Sequence, residues 1–237
     1  MNGLQIFFNQ AINYWPQIVS GLGNTLLLAA IATVSGLLGG ILVFYLTLSR
    51  KRWCRRLTEA YISFFIGTPL IVLLFLMYYG LPQWGIHMSP LTVSIIGFGL
   101  NVSAYNARYL TTAYRSLDPD ELLAARAQGF TEWQVFRLIT LPQVLRLSIP
   151  ALSNQAILNV KDSSVAFLIQ YTEFFAQMQD LAVRSFRFFE AYFVAGIVYV
   201  LLVSVVVLAA RWLERRYVLP GVRQTNYLGL PRKVRQA

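Results

Sequence analysis

Long runs of apolar residues, interrupted by short basic or proline-rich stretches, dominate the chain. No charged side chain occurs from Met1 to Ser49 or from Tyr61 to Ala107. Because about 20 apolar residues let a helix cross the hydrocarbon layer, such runs predict membrane-spanning helices. We expect an all-α polytopic membrane protein with five transmembrane helices. The predicted spans cover approximately Leu22–Leu48, Ala60–Tyr79, Leu91–Tyr114, Leu145–Ile169 and Ala191–Trp212.

Composition supports a membrane location. Of the 237 residues, 57% are hydrophobic and 13% are charged, whereas a soluble domain carries about 25% charged residues. The net charge is +10, but the basic residues lie between the spans, where they set orientation and contact anionic lipid head groups. We therefore expect membrane lipid, and no nucleic acid, as a partner. No basic region precedes the first apolar run, which argues against a cleaved signal peptide.

The distribution of Lys and Arg predicts the topology. Five follow the first span, four follow the third and seven follow the fifth, whereas the connections after the second and fourth spans hold none and two. By the positive-inside rule, the amino terminus lies outside the inner (cytoplasmic) membrane and the carboxyl terminus in the cytoplasm. The predicted organisation is a transmembrane domain over residues 1–216 and a basic cytoplasmic tail over residues 217–237.

The connection over residues 118–142, here called the 118–142 segment, is hydrophilic but carries signals of ordered structure. Asp118 suits a helix N-cap, and Gly129 suits a C-cap that needs a positive φ. Thr131 and Gln134 have the spacing of a capping box at a second helix, which Pro142 is expected to end. The sequence predicts a helix–Gly–helix protrusion on the cytoplasmic side.

Two interpretations of this protrusion are open. It could be a helical linker without a partner. Alternatively, exposed Phe130 and Trp133 could insert into a groove of a partner protein, as the anchors of an amphipathic helix do.

Several motifs in the chain resemble one known family. Ala124-Ala125-x-x-x-Gly129, followed after nine residues by Ile139-x-Leu141-Pro142, resembles the cytoplasmic motif of bacterial ABC importer permeases. The resemblance extends over about residues 20 to 215 and points to the histidine, arginine and glutamine permeases of the polar amino acid branch. The further matching motifs are Gly67-Thr68-Pro69-Leu70, Tyr78-Tyr79-Gly80-Leu81-Pro82, Leu100-Asn101 with Ala104-Tyr105, Leu152-Ser153-Asn154 and Lys161-Asp162-Ser163-Ser164.

Three positions depart from the family pattern. Leu123 stands where the motif normally opens with an acid, and Glu121 is a candidate to replace its contact. Ile66 stands where an arginine is frequent. Arg108 stands where many relatives carry an acid or an amide, which bears on substrate choice.

The resemblance implies a type I ABC importer permease fold in which the 118–142 segment is a coupling helix gripped by an ATPase. The implied partners are two ATPase subunits, a second permease chain (identical or homologous), an extracytoplasmic solute-binding protein and an amino acid substrate. This chain has no G-x-x-x-x-G-K-[ST] loop, so ATP and magnesium are expected on the ATPase, with no cofactor, metal or catalytic residue in this chain. The residues assigned to ATPase coupling are Glu121, Ala124, Ala125, Gly129, Phe130, Trp133, Ile139, Leu141 and Pro142.

Five polar residues inside the predicted spans are assigned to a substrate pathway: Asn101, Arg108, Asn154, Lys161 and Asp162. An ionisable residue at this depth costs about 2.5–3.5 kcal/mol on insertion scales, so it usually faces a cavity or a partner. In the functional interpretation, the cations meet the carboxylate of a zwitterion and Asp162 meets its amine. In the alternative, Arg108 extends to the head groups, Asp162 caps a helix break and the amides join helices. A basic substrate is favoured by the resemblance, although Arg108 argues against it.

Two other functional classes are alternatives to a permease subunit. A secondary transporter or channel driven by an ion gradient would favour inverted repeats, and none is visible in the sequence. An intramembrane enzyme would need a cluster of catalytic groups, whereas the chain has one histidine, one cysteine and no clustered acids. Neither class gives the 118–142 segment a role.

Overall fold

The computed structural model describes residues 3–217, apart from the side chains of residues 3, 4 and 6, and within that range every regular element is a helix. The predicted basic tail, from residue 218 onward, lies outside the described residues. The α-helices are α1 (Gly3–Asn13), α2 (Trp15–Thr47), α3 (Arg52–Gly67), α4 (Leu70–Phe75), α5 (Pro90–Tyr114), α6 (Pro119–Ala127), α7 (Glu132–Gln134), α8 (Leu141–Asp162), α9 (Phe174–Ser185) and α10 (Phe188–Tyr217). Wider π turns cover Leu76–Gly80 and Val135–Thr140, and tighter 3-10 turns cover Leu81–Trp84 and Ser163–Ile169.

The all-α class is as predicted, but the count of five spans is not confirmed. Within residues 3–217, three continuous helices are long and apolar enough to cross a membrane: Trp15–Thr47, Glu132–Ile169 and Phe188–Tyr217. A bent pair, Arg52–Gly67 with Leu70–Trp84, makes a fourth if it is counted as one span. Helix α5 has 25 residues but is not among these spans. It packs against α2, α3, α4 and α8, so its side chains need not be apolar throughout.

The predicted second span is wrong as one continuous helix. Helix α3 ends at Gly67, Thr68 is extended with ψ 124°, and the chain bends by 100° before α4 starts at Leu70. The cause is Pro69, which disfavours helical geometry in the residue before it and has no N–H for a helical hydrogen bond.

The predicted boundary at Pro142 is also wrong. One helical rod begins at Glu132 and continues through Pro142 to Ile169, so the fourth span starts earlier than the predicted Leu145. A π turn immediately precedes the proline, and the Leu141 N–H donates to the carbonyl of Phe136, five residues earlier. Such a widened turn lets the chain stay helical beside a residue that lacks an N–H.

Helices α2 and α5 form the most extensive contact of the fold, and glycines of α2 allow it. A Cβ added at Gly36 would lie 2.4 Å from Val102 Cγ1, and one at Gly40 would lie 2.6 Å from Asn106 Cβ. Small residues let helix backbones approach closely in a membrane. The seam fixes α5 against α2.

Candidate functional sites

The caps of the 118–142 segment form as predicted. Asp118 Oδ1 accepts a hydrogen bond from the Asp120 N–H at 2.9 Å. Gly129 has φ +87°, and the Phe130 N–H closes a bond to the Ala125 carbonyl at 3.2 Å, which together make a Schellman ending.

The capping box of the second helix is complete. The Thr131 N–H donates to Gln134 Oε1 at 2.8 Å, and the Gln134 N–H donates to Thr131 Oγ1 at 3.3 Å. These local bonds make the 118–142 segment a defined two-helix element, not an irregular loop.

A small apolar core holds the two helices of the segment together. Leu122, Ala125 and Val135 are buried, and Tyr114 and Ile139 pack against them. Ala124 is exposed on the opposite side of α6. The alanine pair of the motif therefore divides, with Ala125 facing the core and Ala124 facing outward.

Aromatic rings attach the segment to the end of α2. Phe136 is buried, and its ring centroid lies 4.7 Å from that of Tyr45 and 6.0 Å from that of Phe44. Trp133 stacks on Phe136 at 5.7 Å and meets the Tyr45 ring edge-on at 5.6 Å, although 53% of its surface remains exposed. The Trp133 ring, expected as a free anchor, thus contributes to positioning the segment.

Three polar contacts of Glu132 and Glu121 add to this attachment. The Glu132 carboxylate contacts Arg50 Nη2 at 2.6 Å and Arg126 Nε at 3.2 Å, joining the α2–α3 connection, α6 and α7. Gln143 Nε2 donates to Glu121 Oε2 at 2.8 Å. Glu121 therefore ties α6 to α8.

The outward surface of the segment is apolar. Leu123 and Leu138 are each 58% exposed, and Phe130 and Trp133 are also exposed. Leu123, which replaces the acid of the family motif, adds to this surface. Of the remaining assigned residues, Ile139 and Leu141 are half-buried and Pro142 is exposed.

The residues assigned to a substrate pathway do not converge on one pocket. Asn101 is buried, and its Nδ2 donates to the Phe65 carbonyl at 2.9 Å. Arg108 is exposed in a pocket beside α3. Lys161 lines a different pocket, of about 260 Å³, that α10 also borders.

Exposed polar residues follow one side of α8. Arg146, Asn154 and Lys161 are exposed, and at 100° per residue they fall within about 80° of one another around the helix axis. Asp162 is half-buried and lies about 100° away from Lys161, so the two do not share this stripe. A polar stripe along a helix that crosses a membrane fits a cavity or another chain better than lipid.

Behind the stripe, a chain of hydrogen bonds crosses three helices. Tyr109 Oη donates to Gln155 Oε1 (3.3 Å), Gln155 Nε2 to Asn159 Oδ1 (3.1 Å), and Asn159 Nδ2 to Thr33 Oγ1 (2.9 Å). Thr33 lies near the middle of α2, so the network ends near the middle of that helix. It joins α5, α8 and α2.

Sequence reasoning missed a buried acid, Glu173, which has no exposed surface. Its carboxylate accepts bonds from the Phe175 N–H (2.8 Å), the Ala176 N–H (2.7 Å), Tyr199 Oη (3.0 Å) and Thr25 Oγ1 (3.2 Å). Burial raises the pKa of this carboxyl, while the four hydrogen bonds act to lower it. Glu173 thus caps α9 and joins it to α2 and α10. An acid directly before a helical run was the available signal.

The sequence of the chain is similar to those of membrane transport proteins. A family model described as a binding-protein-dependent transport system inner membrane component matches residues 35–219. The Bacillus subtilis probable amino-acid permease protein YxeN is 38% identical over 191 residues, which cover 79% of this chain and 85% of the relative. The Vibrio harveyi probable amino-acid ABC transporter permease protein PatM is 34% identical over 218 residues, covering 89% and 98%.

Solved structures agree in fold. An amino acid ABC transporter crystallised with histidines has a TM-score of 0.80 and 29% identity, with 88% of this chain and 98% of that chain covered. The MetNI methionine ABC transporter, in an inward-facing form, has a TM-score of 0.73 at 20% identity, covering 86% and 97%. The latter likeness concerns the fold alone.

Proposed function

The chain belongs to the family of binding-protein-dependent transport system inner membrane components, and from this membership we propose that it is the transmembrane subunit of an ATP-driven importer for a polar amino acid. It is a multi-pass inner-membrane protein with the ABC importer permease fold. The proposed assembly contains two ATPase subunits that carry ATP and magnesium, a second permease chain and an extracytoplasmic solute-binding protein. A basic amino acid is the proposed substrate, and several relatives are amino-acid permeases.

The observation that carries the proposal is the construction of the 118–142 segment. Its caps, its apolar core and its aromatic attachment to α2 make it a defined element. It nevertheless leaves the side chains of Leu123, Phe130 and Leu138 exposed. Rigid elements that present apolar anchors are suited to a groove in a partner protein. The proposed partner is the ATPase, and the proposed location of this segment and of the carboxyl terminus is accordingly the cytoplasm.

The polar stripe on α8 is the proposed contribution of this chain to the transport path. Asn154 and Lys161 project from a membrane-crossing helix, and a second permease chain facing them would enclose a polar route. In that route, the Lys161 ammonium would meet the substrate carboxylate. Asp162, which points elsewhere, is the proposed contact for the amine only if the helix rotates during transport.

The test compares two glycines with the same backbone strain. Gly129 and Gly85 have φ values of +87° and +79°, and an added Cβ at either would meet no atom within 4 Å. Because Gly129 lies in the 118–142 segment and Gly85 does not, Gly129→Arg should abolish co-purification of the ATPase in mild detergent, whereas Gly85→Arg should retain it. Leu138→Asp, at an exposed helical position, should also weaken the association without backbone strain. Equal ATPase recovery from all three variants would refute the proposed coupling role.

A second measurement separates this function from a transporter driven by an ion gradient. The purified assembly in liposomes should accumulate amino acid with ATP present on the ATPase side and without any ion gradient. Accumulation by this chain alone, on a proton or sodium gradient, would instead support the secondary transporter.

A further inference from the structure

A second polar pocket lies where α2, α3 and α5 meet, beside the 118–142 segment. Its volume is about 400 Å³, and Leu48 and Tyr114 separate it from a groove of about 570 Å³ beneath that segment. The charged and hydroxyl-bearing side chains in its wall include Arg55, Glu59, Ser63, Arg108, Thr111 and Arg115, of which the Thr111 hydroxyl already donates to the Ala107 carbonyl at 2.7 Å. This pocket is distinct from the one that contains Lys161.

The pocket has an excess of positive charge. Glu59 is the one acid in its wall, and its Oε1 lies 3.8 Å from Arg55 Nε, a weak contact between exposed side chains. Arg108 and Arg115 form no ion pair with any residue in the range 3–217. Three guanidinium groups against one carboxylate leave a formal charge of +2. Guanidinium groups bind phosphate through paired hydrogen bonds, and neighbouring hydroxyls can donate to the same oxygens.

The surroundings of the pocket indicate where such a phosphate would come from. Trp53 and Leu57 of α3 are each 63% exposed, and they lie about 120–160° around that helix from Arg55 and Glu59. Helix α3 therefore presents an apolar flank beside its arginine-bearing flank, as expected of a helix at the level where acyl chains meet head groups. Basic pockets between helices at that level suit anionic head groups.

We propose that this pocket binds the phosphate of an anionic phospholipid, held by Arg55, Arg108 and Arg115. The proposal rests on the membrane location of the chain and not on ATPase coupling or on the identity of the substrate. It gives Arg108 a role at the membrane surface in place of the substrate pathway.

The experiment uses the full-length chain, purified with its co-purifying subunits and stripped of lipid. Thermal unfolding is followed as phosphatidylglycerol, phosphatidylcholine or inorganic phosphate is added. Phosphatidylglycerol should raise the unfolding temperature, and the other two should not at matched concentration. In Arg108→Gln/Arg115→Gln, the half-saturating concentration of phosphatidylglycerol should rise at least tenfold. Arg56→Gln, next to Arg55 on α3 but outside the pocket wall, should respond as the wild type does.

Several results would overturn the proposal. The first is an equal rise of the unfolding temperature with the anionic and the zwitterionic lipid, and the second is an unchanged response in the double variant. The third is an equal rise with inorganic phosphate, which would indicate a site for a soluble anion. Release of bound lipid by a millimolar amino acid mixture would return Arg108 to the substrate pathway. If the double variant does not fold, native mass spectrometry of the wild type in an equimolar lipid mixture decides, because failure to retain phosphatidylglycerol in preference to phosphatidylcholine refutes the site.

Discussion

The glycine seam between α2 and α5 gives a quantitative prediction for Gly40→Ala. The new Cβ would lie 2.6 Å from Asn106 Cβ and 3.3 Å from both the Ala107 nitrogen and the Ser103 carbonyl oxygen. Carbon atoms in good contact are about 3.5–4.0 Å apart, so the helices must separate by about 1 Å. Two of the three neighbours are backbone atoms, so a side-chain rotation does not relieve the contact. Overpacking of this kind costs about 1–3 kcal/mol.

Gly23→Ala in the same helix is the matched control. An added Cβ at Gly23 meets no atom within 4 Å. Both substitutions gain the same helix propensity, about 0.8–1.0 kcal/mol in water and less where the helix persists in the unfolded reference state. The difference between the two variants therefore isolates the packing term.

The assay is thermal unfolding of each variant in the same detergent. For a chain of this size, a difference of about 1–3 kcal/mol corresponds to about 2–12 °C. Gly40→Ala should unfold below Gly23→Ala by that amount, and Gly36→Ala should behave like Gly40→Ala. If Gly40→Ala unfolds at the same temperature as Gly23→Ala or above it, the seam is not tightly packed and the reasoning fails.

Three further predictions follow from the described contacts. Glu173→Ala should lower the free energy of unfolding by about 2–4 kcal/mol, because it leaves buried donors without an acceptor, and Glu173→Gln should recover part of that loss. Chemical unfolding measures both variants, and a loss below about 1 kcal/mol for Glu173→Ala would contradict the cap. Lys161→Met should reduce ATP-driven uptake at least tenfold at an unchanged unfolding temperature, and full uptake would remove Lys161 from the path. Trp133→Ala should lower the unfolding temperature while Leu138→Ala leaves it unchanged, because the Trp133 ring stacks on Phe136; equal temperatures would contradict that contact.

Local sequence signals predicted the local structure well. Asp118, Gly129 and the Thr131–Gln134 pair specify their caps through bonds within four residues, so no tertiary information is needed. The all-α class of the fold was predicted from the long uncharged runs, which also need no tertiary information.

The predictions that failed depended on contacts or on helix continuity. Pro69 breaks a helix whereas Pro142 is accommodated, and the difference is the π turn before Pro142, which the residue types do not specify. Glu173 was missed because its partners Thr25 and Tyr199 are far away in sequence. The assignment of Arg108 and Lys161 to a substrate pathway stays a prediction: the two residues line different pockets, one beside α3 and one beside α10.

The unbroken helical rod from Glu132 to Ile169 has a mechanical consequence. Trp133 near its start and Lys161 near its far end are 28 residues apart along one axis, a distance of about 42 Å. The helix is continuous between them, through the π turn at residues 135–140 and past Pro150, so a turn of the rod at the Trp133 end also reorients Lys161. A movement of the 118–142 segment then reaches Lys161 without a relay of loops, because a single helical element contains both places.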